Sequence, residues 1–312
     1  MSKKKPAESH KLITVTGPLP AADMGFTLPH EHIMVDFIGA AQTGKYRYDS
    51  RHVIKRMLPF LQEIYDLGVR TFIDCTPQYL GRDTEVLQEL SLASGVHIIT
   101  NTGLYKDKYL PDYAYEQSAQ ELAEQWIKEA TEGIDGTGIK PGFIKTAVSP
   151  GTLTDIEKKL IAAAALTSNA TSLTIATHTC SSTAAADIVT ILEKHNTPLN
   201  RWIFVHAHME EDVESLVRLA HLGVWIELDG LAFNADDNHS KKLHHLLDKG
   251  LEQQILLSHD GGWYNIGEEN GGKIIPYTHM CKTFLPRLRR EGVSDDILRI
   301  ITMDNPARAF AV

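Results

Sequence analysis

Residues 202-WIFVHAHMEEDVESLVRLAHLGVWIELD-229 hold one complete strand, helix and returning strand. The run 202-WIFVH-206 is short, apolar and rich in β-branched and aromatic residues, which suits a strand covered on both faces. In 211-EDVESLVRLAHLG-223, Val213, Leu216, Val217 and Ala220 fall on one side of a helix, acidic residues occupy its first turn, and Gly223 supplies a stop. The apolar run 224-VWIELD-229 follows at once as the next strand.

The same alternation extends outward in both directions. The runs 26-FTLPH-30, 70-RTFIDC-75, 96-VHIITN-101, 142-GFIKTA-147, 173-LTIATH-178 and 255-ILLSHD-260 bring the candidate strands to eight. Between two of them, 52-HVIKRMLPFLQEIYDLG-68 places Val53, Met57, Phe60, Leu61 and Ile64 at helical spacing, although Pro59 removes one interior hydrogen bond. Eight βα repeats predict an α/β fold of the (β/α)8 TIM-barrel type; a doubly wound open sheet is the alternative. No linker divides the chain, since the turn-rich 133-GIDGTGIKPG-142 falls where an ordinary helix-to-strand connection belongs. The expected organisation is a flexible N-terminal segment over 1–16 and one domain over 17–312, with long loops at 33–49, 103–115, 230–240 and 261–278.

Composition narrows the function. The 312 residues carry 31 Lys and Arg against 40 Asp and Glu, a net charge of -9 without a basic patch beyond MSKKK, so nucleic acid is not an expected partner. No run of 18 apolar residues or secretory leader is visible, so a membrane partner is not expected either and a cytoplasmic location is the default. The 3 cysteines, Cys75, Cys180 and Cys281, are too sparse for a disulfide scaffold. The 15 histidines are the unusual feature, because imidazole serves both as metal ligand and as proton carrier near neutral pH.

Several of these histidines sit at the C-terminal ends of the strands. His30 and His32 end the first, Lys145 lies near the end of the fourth, His178 ends the fifth, His206 the sixth and Asp260 the eighth. In a barrel all those ends open on one face, so residues far apart in sequence meet there. Two-residue spacing turns His30 and His32 to the same side and Glu31 away from it. Four histidines and an aspartate exceed what one tetrahedral zinc needs, which implies two ions of zinc, manganese, cobalt or iron. His208 repeats the spacing of His206, and spacing alone does not choose between them. A lone strand-end histidine is usually structural; six polar residues at corresponding ends are harder to account for that way.

The pattern resembles the phosphotriesterase-like branch of the metal-dependent amidohydrolase superfamily. The resemblance rests on 25-GFTLPHEHIMVD-36, 81-GRDTEVLQELSLASGVHIITNTGLY-105, 142-GFIKTA-147, 176-ATHT-179, 256-LLSHD-260 and 284-FLPRLRREGVSDDILRIITMDNPARAF-310. It implies that His30, His32 and Asp260 bind the more buried ion and that His178 and His206, preferred over His208, bind the more exposed one. It further implies that Lys145 is carbamylated to N6-carboxylysine and bridges both ions, and that the enzyme is a homodimer. An ion pair of this kind lowers the pKa of a bridging water, so hydroxide forms near neutral pH, and polarises the substrate carbonyl or phosphoryl oxygen. Asp260 is expected to bind metal and to accept a proton from that hydroxide as it attacks.

Two departures bear on substrate. Where the family carries Asp shortly after the sixth-strand histidine, this chain has 206-HAHMEED-212, leaving Glu210 as the candidate relay or substrate contact. Where the family often has Arg or His after the seventh-strand Asp, this chain has Gly230. Tyr105 resembles a tyrosine that lies over the metal pair in lactonase-like members. Trp263 and Tyr264, in the Gly-rich 261-GGWYNIGEENGGKIIPYTHM-280, are expected beside the substrate on a lid. The expected activity is hydrolysis of a lactone or related carboxylic ester with secondary phosphotriesterase activity, the alternative being a phosphoester hydrolase that uses Arg82, Lys106 or Lys108. A non-catalytic metal-binding barrel is the remaining class.

Overall fold

The continuous apolar runs become parallel strands, because only a sheet covered inside and out can bury both of their faces. A computed structural model describes residues 10–233 and 236–312. Its barrel strands are β1 (Phe26–Val35), β2 (Val69–Asp74), β3 (His97–Ile99 with Asn101–Thr102), β4 (Phe143–Ala147), β5 (Thr174–His178), β6 (Trp202–Val205), β7 (Trp225–Leu228) and β8 (Ile255–Leu257). Each pairs in parallel with its sequence neighbour. Closure between β8 and β1 is made just beyond β8, where the His30 amide donates to Ser258 Oγ (2.9 Å) and the Asp260 amide to the His30 carbonyl (3.0 Å).

The helices of the repeats are α1 (Ser50–Asp66), α2 (Thr84–Ser94), α3 (Ala119–Glu132), α4 (Asp155–Thr171), α5 (Ser182–Lys194), α6 (Val213–His221) and α7 (Asp236–Asp248), with Leu285–Arg290 behind β8. Helix α1 passes through Pro59 and buries Val53, Met57, Leu61 and Ile64. Ser118 and Thr154 open α3 and α4 as capping boxes, each holding the backbone of a Glu three positions on and held by its carboxylate in return.

Three expectations are corrected. The segment 1–16 is not set apart from the barrel where the structure describes it: Lys11–Thr14 forms a hairpin with Gly17–Pro20, and Leu12 is fully buried in the barrel floor with Phe143 and Phe310. A barrel open at its N-terminal end needs such a plug, and Lys11 also exchanges backbone hydrogen bonds with Val312. Residues 1–9 lie outside the described residues. The loop expected over 261–278 begins instead with a strand, Gly261–Asn265, paired in parallel with the outer half of β1. Its glycines serve close approach: a Cβ at Gly262, whose φ is +93°, would lie 1.8 Å from the His32 carbonyl oxygen. Finally, helix α7 already starts at Asp236, inside the loop expected over 230–240.

Candidate metal centre

The six polar residues singled out at the strand ends meet in the structure. His30 and His32 project from β1, Lys145 from β4 and His178 from the last position of β5; His206 and Asp260 stand just beyond β6 and β8 in left-handed conformations, φ +63° and +56°. Such backbone costs on the order of 1 kcal/mol or more per residue and persists where the surroundings fix it. All six line a cavity of about 90 Å³, with Val35, Phe37, Cys75, Pro77, Leu80, Tyr105 and Trp263 completing its wall. A larger cavity of about 700 Å³ lies at the opposite end of the barrel, among residues such as His10, Arg201 and Arg308. It holds none of this chemistry, and barrel enzymes place their sites at the C-terminal strand ends.

The cavity-facing atoms of His30, His32 and Asp260 lie close together without an aligned hydrogen bond among them. Asp260 Oδ1 is 3.1 Å from His32 Nε2 and 3.7 Å from His30 Nε2, yet it makes no aligned hydrogen bond. His30, His32 and Asp260 each offer a ligand atom within 4.8 Å of the others. Ligands about 2.1 Å from one tetrahedral ion stand roughly 3.4 Å apart, so this spacing suits a shared cation. The rings of His178 and His206 are 4.4 Å apart, and those of His30 and His206 5.1 Å. Lys145 Nζ, on a residue 2% exposed, has no hydrogen-bond partner. A buried amine without an acceptor is costly as it stands. The donor set therefore fits a pair of cations, and Lys145 fits it once converted to an anionic ligand.

Behind the cavity, the outer nitrogens are already engaged. His32 Nδ1 meets Thr76 Oγ1 at 2.7 Å; His206 Nδ1 meets Asp229 Oδ1 at 2.7 Å; His30 Nδ1 lies between Glu227 Oε2 (3.0 Å) and Asp229 Oδ2 (3.1 Å). Such partners fix ring orientation and tautomer and leave Nε2 for the cavity. His178 differs: its Nδ1 faces the Tyr105 hydroxyl at 3.1 Å and its Nε2 faces Cys180 Sγ at 3.5 Å. His30, His206 and Asp229 form a second close triad, but Asp229 is already occupied by the Nδ1 atoms and by the His206 amide.

Electrostatics favour the neutral imidazole at two of the four positions, His30 and His178. Burial first, then the Lys145 charge, pushes the His30 pKa down to about 3 against the pull of Asp229 and Asp260. Burial and the charges of His206, Lys106 and Lys145 put His178 well below its ordinary value. Burial would raise Asp260, but His32, His30 and His206 reverse that and hold its carboxyl below the usual range. Neutral imidazole and ionised carboxylate are the forms that bind cations.

Not every residue marked in the sequence reaches the cavity. Tyr105 and Trp263 do. Tyr264 does not: it alternates with Trp263 along its strand, so its hydroxyl meets His52 Nδ1 on α1 at 2.9 Å. Glu210 is also away from the cavity wall, its carboxylate accepting the amides of Ser182, at the start of α5, and Asp212. Arg82 pairs with Glu129, Lys106 Nζ donates to the Val148 carbonyl and Lys108 Nζ to the Phe37 carbonyl. His206 faces the cavity; His208 lies behind it, with Nδ1 2.9 Å from Asp229 Oδ1 but off the line of a hydrogen bond.

Sequence reasoning missed the supporting carboxylates. Glu227 within β7 and Asp229 just beyond its end stand behind the histidines, and both are buried. Glu31, turned away from the cavity as expected, accepts from Ser258 Oγ and from the amides of His259 and Gly261, and also binds His259 Nδ1. Ionisable residues within the apolar run WIELD were the available signal, since a buried charge needs a partner.

Fold and site together define a (β/α)8 barrel hydrolase acting on ester bonds. Residues 10–310 match the model of the phosphotriesterase family, and the chain belongs to that family. It is 32% identical over 293 residues to the phosphotriesterase homology protein of Escherichia coli K12, covering 92% of this chain and 98% of that one. It is 28% identical over 305 residues to the aryldialkylphosphatase of Saccharolobus solfataricus, covering 94% and 97%. A solved structure described as an organophosphate hydrolase engineered from a weak promiscuous lactonase template superposes with a TM-score of 0.88 at 29% identity, covering 96% and 99%.

Proposed function

We propose that the protein is a binuclear metal-dependent hydrolase of lactones or related carboxylic esters, with phosphotriester hydrolysis as a secondary activity. The observation that carries the metal reading is the unpartnered, buried Lys145 Nζ facing a cavity shared with His30, His32, His178, His206 and Asp260. His30, His32 and Asp260 would hold one ion and His178 and His206 the other, with Lys145, as N6-carboxylysine, reaching both. Zinc is the first candidate, with manganese, cobalt or iron as alternatives. Bound there, the pair supplies a water acidic enough to ionise near neutral pH and a Lewis acid for the substrate oxygen.

The chain's own residues do the rest. Asp260, ionised and without an aligned hydrogen bond at Oδ1, is placed to take the proton of the attacking water and deliver it to the leaving oxygen. Tyr105, with its hydroxyl beside His178, orients the ester oxygen, and Trp263 and Phe37, ring centroids 5.6 Å apart, wall the cavity against bulk water. Charge selects the substrate class. Arg82, Lys106 and Lys108 are all committed to protein acceptors, so Lys145 is the one Lys or Arg among the described residues lining the cavity. A neutral lactone or triester suits that wall, whereas a phosphomonoester dianion would find no cationic side chain to hold it beyond the ion pair itself.

A second reading, phosphotriester hydrolysis as the main activity, is favoured by the likeness to the aryldialkylphosphatase and the organophosphate hydrolase. Hydrolysis by protein reconstituted with zinc and bicarbonate separates the two, assayed on lactones, phosphotriesters and phosphomonoesters at matched concentration. The highest kcat/KM is expected on a lactone, a lower one on triesters and none on monoesters. Turnover confined to phosphoesters overturns the lactone assignment.

A further inference from the structure

We infer that His208 is a positioning residue for Asp229, and through it for His30 and His206, and that its imidazole takes the space left open by the missing side chain of Gly230. The inference rests on the ligand reading above. Gly230 follows Asp229 with φ +83°, and a Cβ built there would lie 2.7 Å from both Cε1 and Nε2 of His208. That is closer than any side-chain contact tolerates, so a side chain at 230 would have to displace the His208 ring. His208 stacks on His239 at 4.9 Å and 22°, and its ring stands at 90° to that of His206, 5.9 Å away. Its carbonyl is held by Lys242 Nζ (2.6 Å) and Asn238 Nδ2 (2.9 Å). A ring from the loop after β6 thus fills the space beside Gly230 in the loop after β7.

The consequence falls on Asp229. Its Oδ1 meets His206 Nδ1, while its Oδ2 meets the His206 amide and His30 Nδ1, so one carboxylate orients a histidine of each proposed ion site. Its remaining open side is covered by the His208 ring, whose Nδ1 is 2.9 Å from Oδ1. Asp229 is completely buried while the His208 side chain beside it keeps 15% of its exposure, so of the two the ring is the one that reaches solvent. Without the ring, water reaches Asp229, the carboxylate gains freedom to turn, and its grip on two ligand rings weakens.

The test compares His208→Ala, Gly230→Ala and the double variant with the wild type, reading zinc affinity by chelator competition and unfolding of the metal-free protein. His208→Ala is expected to weaken zinc binding about tenfold or more while metal-free unfolding moves little. His208→Asn, whose amide N–H still faces a carboxylate, is expected to recover part of the affinity. Gly230→Ala lowers stability in both backgrounds, because its φ is strained for alanine, but lowers zinc affinity only where His208 is present to be displaced. Wild-type affinity in His208→Ala, or an equal loss from Gly230→Ala in both backgrounds, overturns the inference alone. A wild-type chain that binds no zinc overturns the ligand reading, and this inference with it.

Discussion

His30 illustrates how much a single residue carries. It reaches the cavity through one nitrogen and two buried carboxylates through the other, and its pKa of about 3 against 6.5 in an unfolded chain makes folding pH-dependent. Between those values the unfolded chain takes up a proton that the folded chain refuses, so acidification favours unfolding. Metal-free protein should thus lose stability through this group as pH falls from about 6.5 towards 3, with no further loss from it below that. In His30→Asn the fall in urea midpoint between about pH 6.5 and pH 4.5 should be smaller than in the wild type; parallel profiles would contradict it. At this scale the convergence of six residues was legible, because position at a strand end is a property of sequence once the fold is known. The places of Tyr264 and Glu210 were not, since they depend on a strand that two glycines disguise and on which helix-start amide the carboxylate meets across the fold.

At the scale of elements, the short strand Gly261–Asn265 locks the rim of the site to β1. Gly262 sits where any side chain would strike the His32 carbonyl oxygen, at 1.8 Å, and the Tyr277 hydroxyl, at 2.2 Å. Gly262→Ala is expected to cost about 2 kcal/mol or more through overpacking and a strained φ, seen as a lower thermal midpoint. An unchanged midpoint would show that the strand is loosely held. The eight barrel strands were readable because burial on both faces makes an apolar run. GGWYN was not, because two glycines read as a turn until the neighbouring backbone that requires them is in view. The N-terminal hairpin escaped for a similar reason: Pro18 and Pro20 argue against a strand, yet both lie on an edge where no further partner calls for an N–H.

The whole molecule divides its labour between the two ends of the barrel. Leu12 and Phe310 close the floor, and the polar residues gather at the other end, where strand-end loops vary without disturbing the core. Among the described residues no helix is long and apolar enough to cross a membrane. Fold class was legible from the repeat count, whereas the domain boundary was not, since only the closed barrel shows that its floor must be filled. The claim that organises all of this is that Lys145 completes a two-ion centre. The direct measurement is zinc bound per chain after loading with bicarbonate present, for wild type and for Lys145→Ala. About two ions per wild-type chain, with a clear loss in the variant, is the expected result; the same stoichiometry in both would contradict it.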